Sequence, residues 1–256
     1  MKILIIGESC QDTFVYGSAT RLCPEGPVPV FREASRVYSV GMAKNVYHNF
    51  VNLKDHLNLD IEFTFISNDV VGDKVRYIDS ESNQLLLRVD EDQHNPIGLE
   101  VLSSIDFDLY DAVVVSDYDK GFLSHEDLFY IARRSKVSFL DTKKDCNLNW
   151  ANQFTFIKIN EKEYKSMEKS PINSEIVVTL GSRGARWGDK EFPTESTSVF
   201  DVCGAGDTFL SAFVTAYMST FSFQESIEFA NKCAGISVKK FGNYIISLED
   251  LNDLRF

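Results

Sequence analysis

Positive charge is scarce in this sequence: 26 lysines and arginines stand against 38 aspartates and glutamates, for a formal net charge of −12. The summed field of such a chain repels a polyanion, which excludes a nucleic-acid surface and requires any phosphate ligand to be held by a local device. Histidine is scarcer still. The four histidines show no HxH or HExxH spacing, and the five cysteines (Cys10, Cys23, Cys146, Cys203 and Cys233) form no CxxC pair. Zinc sites need such spacings, so scattered reduced thiols in a cytoplasmic protein are expected. Long apolar runs are missing too. The N-terminal "MKILIIGESC" is broken by Gly7 and Glu8 where the core of a signal peptide would continue, and it reads as a buried strand. The uncharged stretch Thr208 to Gln224 is interrupted by Ser211, Thr215, Ser219 and other hydroxyl residues, which favours a buried helix over a membrane span.

What is present is a chain of 256 residues, 44% hydrophobic, enough for one α/β domain with a small appendage. Short β-rich runs recur at 2–7, 61–67, 111–117, 137–141, 154–160 and 175–181. Helical patterns fall at 42–57, 125–135, 161–168, 205–220, 223–241 and 248–254. That alternation predicts a mainly parallel sheet with helices on both faces. Residues 13–40 and 74–90 break the alternation, and their apolar/polar pattern around turn signals predicts an antiparallel flap over the sheet edge. Within the first, "PEGPVPV" reads as a rigid polyproline-like edge, because Pro24, Pro27 and Pro29 fix φ and remove donors.

The segment with most chemical content is "DVCGAGDTFLSAF" (201–213). Two glycines let successive N–H groups of Gly204, Ala205 and Gly206 turn toward one point, and the following helix adds its positive end there. Such a nest suits phosphoryl transfer, whose transition state spreads charge over the equatorial oxygens. Asp207, kept ionised by the same dipole, is placed to accept a hydroxyl proton. A plain acidic helix start explains the same letters. "NEKE" is likewise an N-cap with its capping-box partner, and "TLGSRG" a hairpin turn.

"DVCGAGDTFLSAF" resembles the C-terminal signature of the ribokinase-like (PfkB) carbohydrate kinases, and "IKINEKEY" and "VVTLGSRGARW" resemble further elements of that family in the same order. The resemblance implies a three-layer α/β/α sandwich with a small, shortened β lid, a single kinase domain over 1–256, and ATP with Mg2+ as cofactors. It also leaves room for a monovalent cation. By this similarity Asp207 is the base and the amides of Gly204, Ala205 and Gly206 form the anion hole. Asn160, Thr179, Gly181, Gly184, Asn231 and Lys143 would serve the nucleotide, with Glu163 near the metal.

A narrower resemblance covers nearly the whole chain: "YGSATRLCPEGPVPVF", "NQLLLRVDED", "VVVSDYDKGFLS" and "LDTKKD" look like the D-glycero-D-manno-heptose-7-phosphate kinases of lipopolysaccharide precursor synthesis. It implies transfer to the anomeric hydroxyl, with Asp12, Gly41, Asn45 and Asp117 at the sugar. A phosphorylated sugar needs cations, and Arg21, Arg76, Arg88, Lys120 and Lys143 are the candidates. The partners implied are a small sugar or sugar phosphate and a second copy of the chain through the lid, with no nucleic acid and no membrane. The chain departs from the family twice: Gly41-Met42 stands where consecutive glycines are usual, and "ISNDVVGDKVR" (66–76) lacks most of an inserted helix and strand. Another PfkB-type kinase, for a hexose or pentose, and a non-catalytic sugar- or nucleotide-binding homologue are the alternatives.

Overall fold

The computed structural model describes residues 1–69, 72–91, 95–146, 150–167, 174–195, 199–219 and 222–253. Val70 and Val71 of the shortened segment, and the expected helix ends Glu168, Thr220 and Leu254, lie outside the described residues. The strands are β1 (Lys2–Gly7), β2 (Ser9–Cys23), β3 (Gly26–Met42), β4 (Glu62–Ile66), β5 (Gly72–Asp79), β6 (Leu85–Asp90), β7 (Ala112–Asp117), β8 (Ser138–Thr142), β9 (Phe156–Asn160), β10 (Glu175–Thr179), β11 (Ala185–Trp187) and β12 (Lys190–Phe192). The helices are α1 (Ala43–His56), α2 (Leu99–Ser104), α3 (His125–Arg134), α4 (Glu161–Ser166), α5 (Ala205–Met218), α6 (Phe223–Ser237) and α7 (Leu248–Asp253).

Eight strands form the central sheet in the order β12-β11-β10-β9-β8-β7-β1-β4. The pairs from β4 through β10 are parallel, and only the β10–β11–β12 edge is antiparallel. Strand alternation divides the core in two. Ile3, Ile5, Val114, Phe139, Phe156 and Val177 face one cluster with residues of α1, α5, α6 and α7. Leu4, Ile6, Val113, Val115, Leu140 and Ile157 face the other with α2 and α3. Helix α5 shows what holds the layers. Its phenylalanines, threonines and valine are mediocre helix formers, yet Asp207 through Ala216 are all buried. At about 1.5–3 kcal/mol for each fully buried large apolar side chain, Phe209, Phe213 and Val214 outweigh that propensity deficit.

The sequence-based reading of the flap needs one correction. The second sheet has the order β3-β2-β5-β6, and although β2–β3 and β5–β6 are antiparallel, β2 and β5 run parallel. The reason lies in the core: β1 and β4 are parallel neighbours and lead into β2 and β5, so their continuations keep one direction. The proline stretch is not polyproline either. Pro27 and Pro29 belong to β3, which sits at the sheet edge where a missing donor is tolerated.

Parallel strands all point the same way, so Gly7, Asp117, Thr142, Asn160 and Thr179 end at one border of the central sheet. Ligands of open α/β sheets bind at that border.

Candidate active site

Gly204 caps α5 in the left-handed region, at φ 71°. A β-carbon there would stand 2.8 Å from both Asn45 Nδ2 and Asn243 Oδ1, so the position admits only glycine on two counts. The turn it makes places Ala205, Gly206 and Asp207 in the first helical turn, where N–H groups lack intrahelical partners. Asp207 is 4% exposed. Asn45 Nδ2 donates to its Oδ2 at 2.9 Å, and the Tyr118 hydroxyl donates to its Oδ1. Burial pushes the Asp207 carboxyl up from 3.8 to about 6, against those two hydrogen bonds and Lys158, and with help from Asp141. A carboxyl poised near 6 is ionised at neutral pH and still basic enough to take a proton.

Asn45, a candidate for the sugar, donates its amide to Asp207, and its own orientation is fixed by Asn49. Its helix starts abruptly because Met42, at φ 60° and ψ −138°, occupies backbone space that favours glycine. That strain, and a Met42 side chain 4% exposed, mark the place where the chain departs from the double glycine.

Around Asp207 lie cations that neutralise negative charge. Lys158 Nζ pairs with Asp141 Oδ2 at 2.6 Å, and a β-carbon at Gly206 would lie 2.9 Å from that ammonium. Lys143 pairs with Glu163 at 2.7 Å; burial opposes its charge, but Asp141 and Glu163 outweigh burial and hold its pKa above the ordinary value. Tyr118 is flanked by Lys74 and Lys143, whose ammonium groups stand 5.4 and 5.8 Å from its ring centre.

On the other side of Asp207 lies Asp12, 3% exposed, with Arg76 on Oδ1 and Asn243 Nδ2 donating to Oδ2 at 2.6 Å. Gly41 lies against it: a methyl group there would overlap Asp12 Oδ2 and approach Cys10 Sγ to 2.6 Å. Asp12, Gly41 and Arg76 are therefore brought together.

Other candidates have these surroundings. Asp117 is 1% exposed, but Thr142 Oγ1 and Lys144 Nζ occupy its carboxylate, so it is a strand-end anchor. Arg88 is bound bidentately by Asp90 on the same strand, at 2.6 and 2.8 Å. Arg21 is exposed near the far end of β2. The backbone N–H of Lys120 donates to Glu8. Asn160 and Glu163 form the full capping box of α4, and Asn231 Nδ2 donates to the Phe192 carbonyl at 2.8 Å.

Sequence reasoning passed over Glu8, Lys74, Tyr118, Asp141, Lys158 and Asn243. Glu8 is fully buried and accepts N–H bonds from Tyr118, Lys120 and Phe122, which pins the loop that carries Tyr118. Burial first, and Asp117 second, push its carboxyl up. The signal was available in "SDYDKG", where Tyr118 stands between the two residues singled out.

A cavity of about 440 Å³ begins at Ala205 and Gly206 and runs out past Thr179, Gly181, Gly184 and Asn231. It joins the glycine turn at the start of α5 to an apolar far wall, which suits a nucleotide. The Leu180–Gly184 segment is indeed a hairpin turn between β10 and β11, and it lines this cavity.

For a metal, no group of three or more His, Cys, Asp or Glu side chains converges among the described residues. Glu163 is engaged by Lys143, the Asn160 amide and the Asn160 N–H, while Asp141 Oδ1 is buried without a partner. Magnesium keeps several waters and takes one or two carboxylates plus phosphate oxygens, so this donor set fits an ion arriving with a nucleotide and held through water.

Comparison with known proteins agrees with this geometry. The chain is 27% identical over 303 residues to the "bifunctional protein HldE" of Helicobacter pylori (strain HPAG1), covering 98% of this chain and 65% of that one. It is 27% identical over 299 residues to the "bifunctional protein HldE" of Haemophilus influenzae (strain PittEE), covering 98% and 63%. The chain thus spans less than two thirds of these relatives' length. Among solved structures, ribokinase of Thermotoga maritima superposes with a TM-score of 0.74 at 17% identity, over 98% of both chains. Ribokinase of Cryptococcus neoformans in complex with ADP gives 0.73 at 15%, over 99% of both. These neighbours share the layered fold and its mainly parallel sheet. Residues 42–250 match the model of the pfkB family carbohydrate kinases, and the chain belongs to this family.

Proposed function

We propose that this protein is an ATP-dependent sugar kinase and that its acceptor is D-glycero-D-manno-heptose 7-phosphate, phosphorylated at the anomeric hydroxyl. The observation that carries the reading is Asp207: buried, held by Asn45 and Tyr118, and next to Gly206, where the cavity begins. In the proposed step the Asp207 carboxylate accepts the hydroxyl proton while the sugar oxygen bonds to the γ-phosphorus. The bond from γ-phosphorus to the β–γ bridging oxygen breaks, and ADP leaves with that electron pair. Amides of Gly204, Ala205 and Gly206 stabilise the charge on the transferring group. Lys158 and Lys143 add positive potential nearby. A magnesium ion bound with the nucleotide supplies neutralisation of the phosphate oxygens, with Glu163 and Asp141 as its nearest fitting carboxylates. The crystal structure of Escherichia coli phosphofructokinase-2 in complex with potassium supports keeping a monovalent cation in this reading.

We read residues 1–256 as one kinase domain, with the second sheet as its lid. The lid leaves Tyr38, Leu85 and Leu87 exposed, at 59%, 52% and 56%, an apolar surface suited to pairing with a second copy.

The acceptor phosphate falls to Lys74 in this scheme. Arg76 and Arg88 are already paired with Asp12 and Asp90, whereas no carboxylate among the described residues lies within ion-pair distance of Lys74, which is only 8% exposed. A panel of sugars and sugar phosphates with ATP tests the substrate. Heptose 7-phosphate is expected to be turned over best, and Lys74→Met to raise its KM about 10–100-fold while leaving the neutral heptose unaffected. A hexose or pentose outrunning it would favour the second reading, for which the buried Met42 next to Gly41 speaks. Binding without turnover across the panel would mean a non-catalytic homologue.

A further inference from the structure

Asn243 belongs to no motif, yet its side chain touches three separate parts of the site. Its Nδ2 donates to Asp12 Oδ2 at 2.6 Å and to the Val40 carbonyl at 2.8 Å. Its Oδ1 accepts from the Cys203 thiol at 3.1 Å and occupies the space a β-carbon on Gly204 would need. The amide can stand only this way round. Both acceptors lie on its nitrogen side and the thiol donor on its oxygen side, so a flip would break both bonds to Asp12 and Val40. The backbone makes a second link: Gly242 N–H and Cys203 N–H both donate to Asp201, at 2.9 and 3.0 Å. Gly242 turns at φ 71° to deliver Asn243 there.

Asp12 and Val40 belong to the second sheet, whereas Cys203 and Gly204 form the turn before α5. One amide therefore spans the acceptor side and the phosphoryl side. Arg76 reinforces the link, pairing with Asp12 and lying 3.7 Å from Cys203 Sγ.

We infer that Asn243 is a positioning residue that sets the acceptor-binding carboxylate in register with the anion-binding turn. It touches no reacting atom. It fixes the rotamer of Asp12 relative to Gly204, so that a hydroxyl bound at Asp12 faces the transferring phosphoryl group rather than leaving room for water. The inference rests on the sugar-kinase reading.

The test compares Asn243→Ala and Asn243→Asp with the wild type in three measurements: acceptor KM and kcat, ATP affinity by calorimetry, and ADP release without acceptor. Loss of a hydrogen bond to a charged group predicts an acceptor KM raised about 10–100-fold in Asn243→Ala, with ATP affinity within about twofold. ADP release without acceptor is expected to rise relative to transfer. Asn243→Asp sets a second carboxylate against Asp12 and is expected to be worse than alanine at pH 8. It should gain on the alanine variant as pH falls toward 5.5, because a protonated carboxyl can donate. That pH-dependent ratio is not expected of a residue that merely fills space. Unchanged acceptor KM in a wild-type-active background overturns the role of Asn243 alone, as does equal loss of ATP affinity or an alanine-to-aspartate ratio flat with pH. A wild type that turns over no sugar overturns the kinase reading itself, and this inference with it.

Discussion

Asp207→Asn is expected to lose about 10²–10⁴-fold in turnover, to bind ATP as before, and to be more stable than the wild type at pH 8. The loss follows from removing the base while keeping its shape: the asparagine carbonyl still accepts from Asn45, and the turn at Gly204 is untouched. The gain in stability follows from the raised carboxyl. In the folded protein Asp207 titrates near 6, against an ordinary 3.8. Between those values the folded state holds a proton that the unfolded state has lost, so this group favours folding at low pH and loses that contribution as pH rises through about 6. Above it, the buried carboxylate costs about 3 kcal/mol relative to a group with an ordinary pKa. Asparagine avoids that cost, so the advantage of the variant should shrink steadily from pH 6 to pH 4. Thermal melts at pH 8 and pH 5 check the sign; a difference independent of pH would show that Asp207 is not the strained ionised group. The wild-type rate should fall tenfold per pH unit well below 6.

Gly41→Ala is expected to weaken acceptor binding selectively. The added methyl group overlaps Asp12 Oδ2 and crowds the Cys10 thiol, and Asp12 has nowhere to retreat because Arg76 and Asn243 hold its two oxygens. Forcing a buried carboxylate off its partners leaves charges unpaired at about 1–3 kcal/mol each, enough to weaken acceptor binding roughly 100-fold. The nucleotide cavity lies on the far side of Asp207, so ATP affinity should stay within about twofold. Gly26, where an added β-carbon would meet nothing within 4 Å, supplies the control: Gly26→Ala should change neither. Equal behaviour of the two variants would remove Gly41 from the acceptor site.

Much of this architecture was legible in the letters. Short apolar runs located the six parallel strands, most of which are buried on both faces, and glycine punctuation located the turn before α5. What stayed hidden was pairing. The letters of "SDYDKG" do not say that Asp117 is used up by Thr142 and Lys144 while Tyr118 reaches Asp207. Nor do they say that Arg88 is satisfied by Asp90 while Lys74 has no carboxylate within ion-pair distance among the described residues. The edge hairpin β11–β12 and the short α2 were missed because such brief elements carry little periodicity. Asn243 was invisible for a different reason: its partners are 40, 203 and 231 residues away.

The layout of strands also bears on how the chain must assemble. β2 and β3 join through the tight turn at Pro24 and Glu25, so their pairing needs almost no loop closure, whereas β1, immediately before them, lies between β4 and β7 and waits for residues as distant as Ala112. On the ribosome the hairpin is therefore complete long before its root has neighbours. During that interval one of its two open edges is β3, where Pro27 and Pro29 withhold donors that a stray strand would need, guarding that edge of the growing chain against the wrong partner.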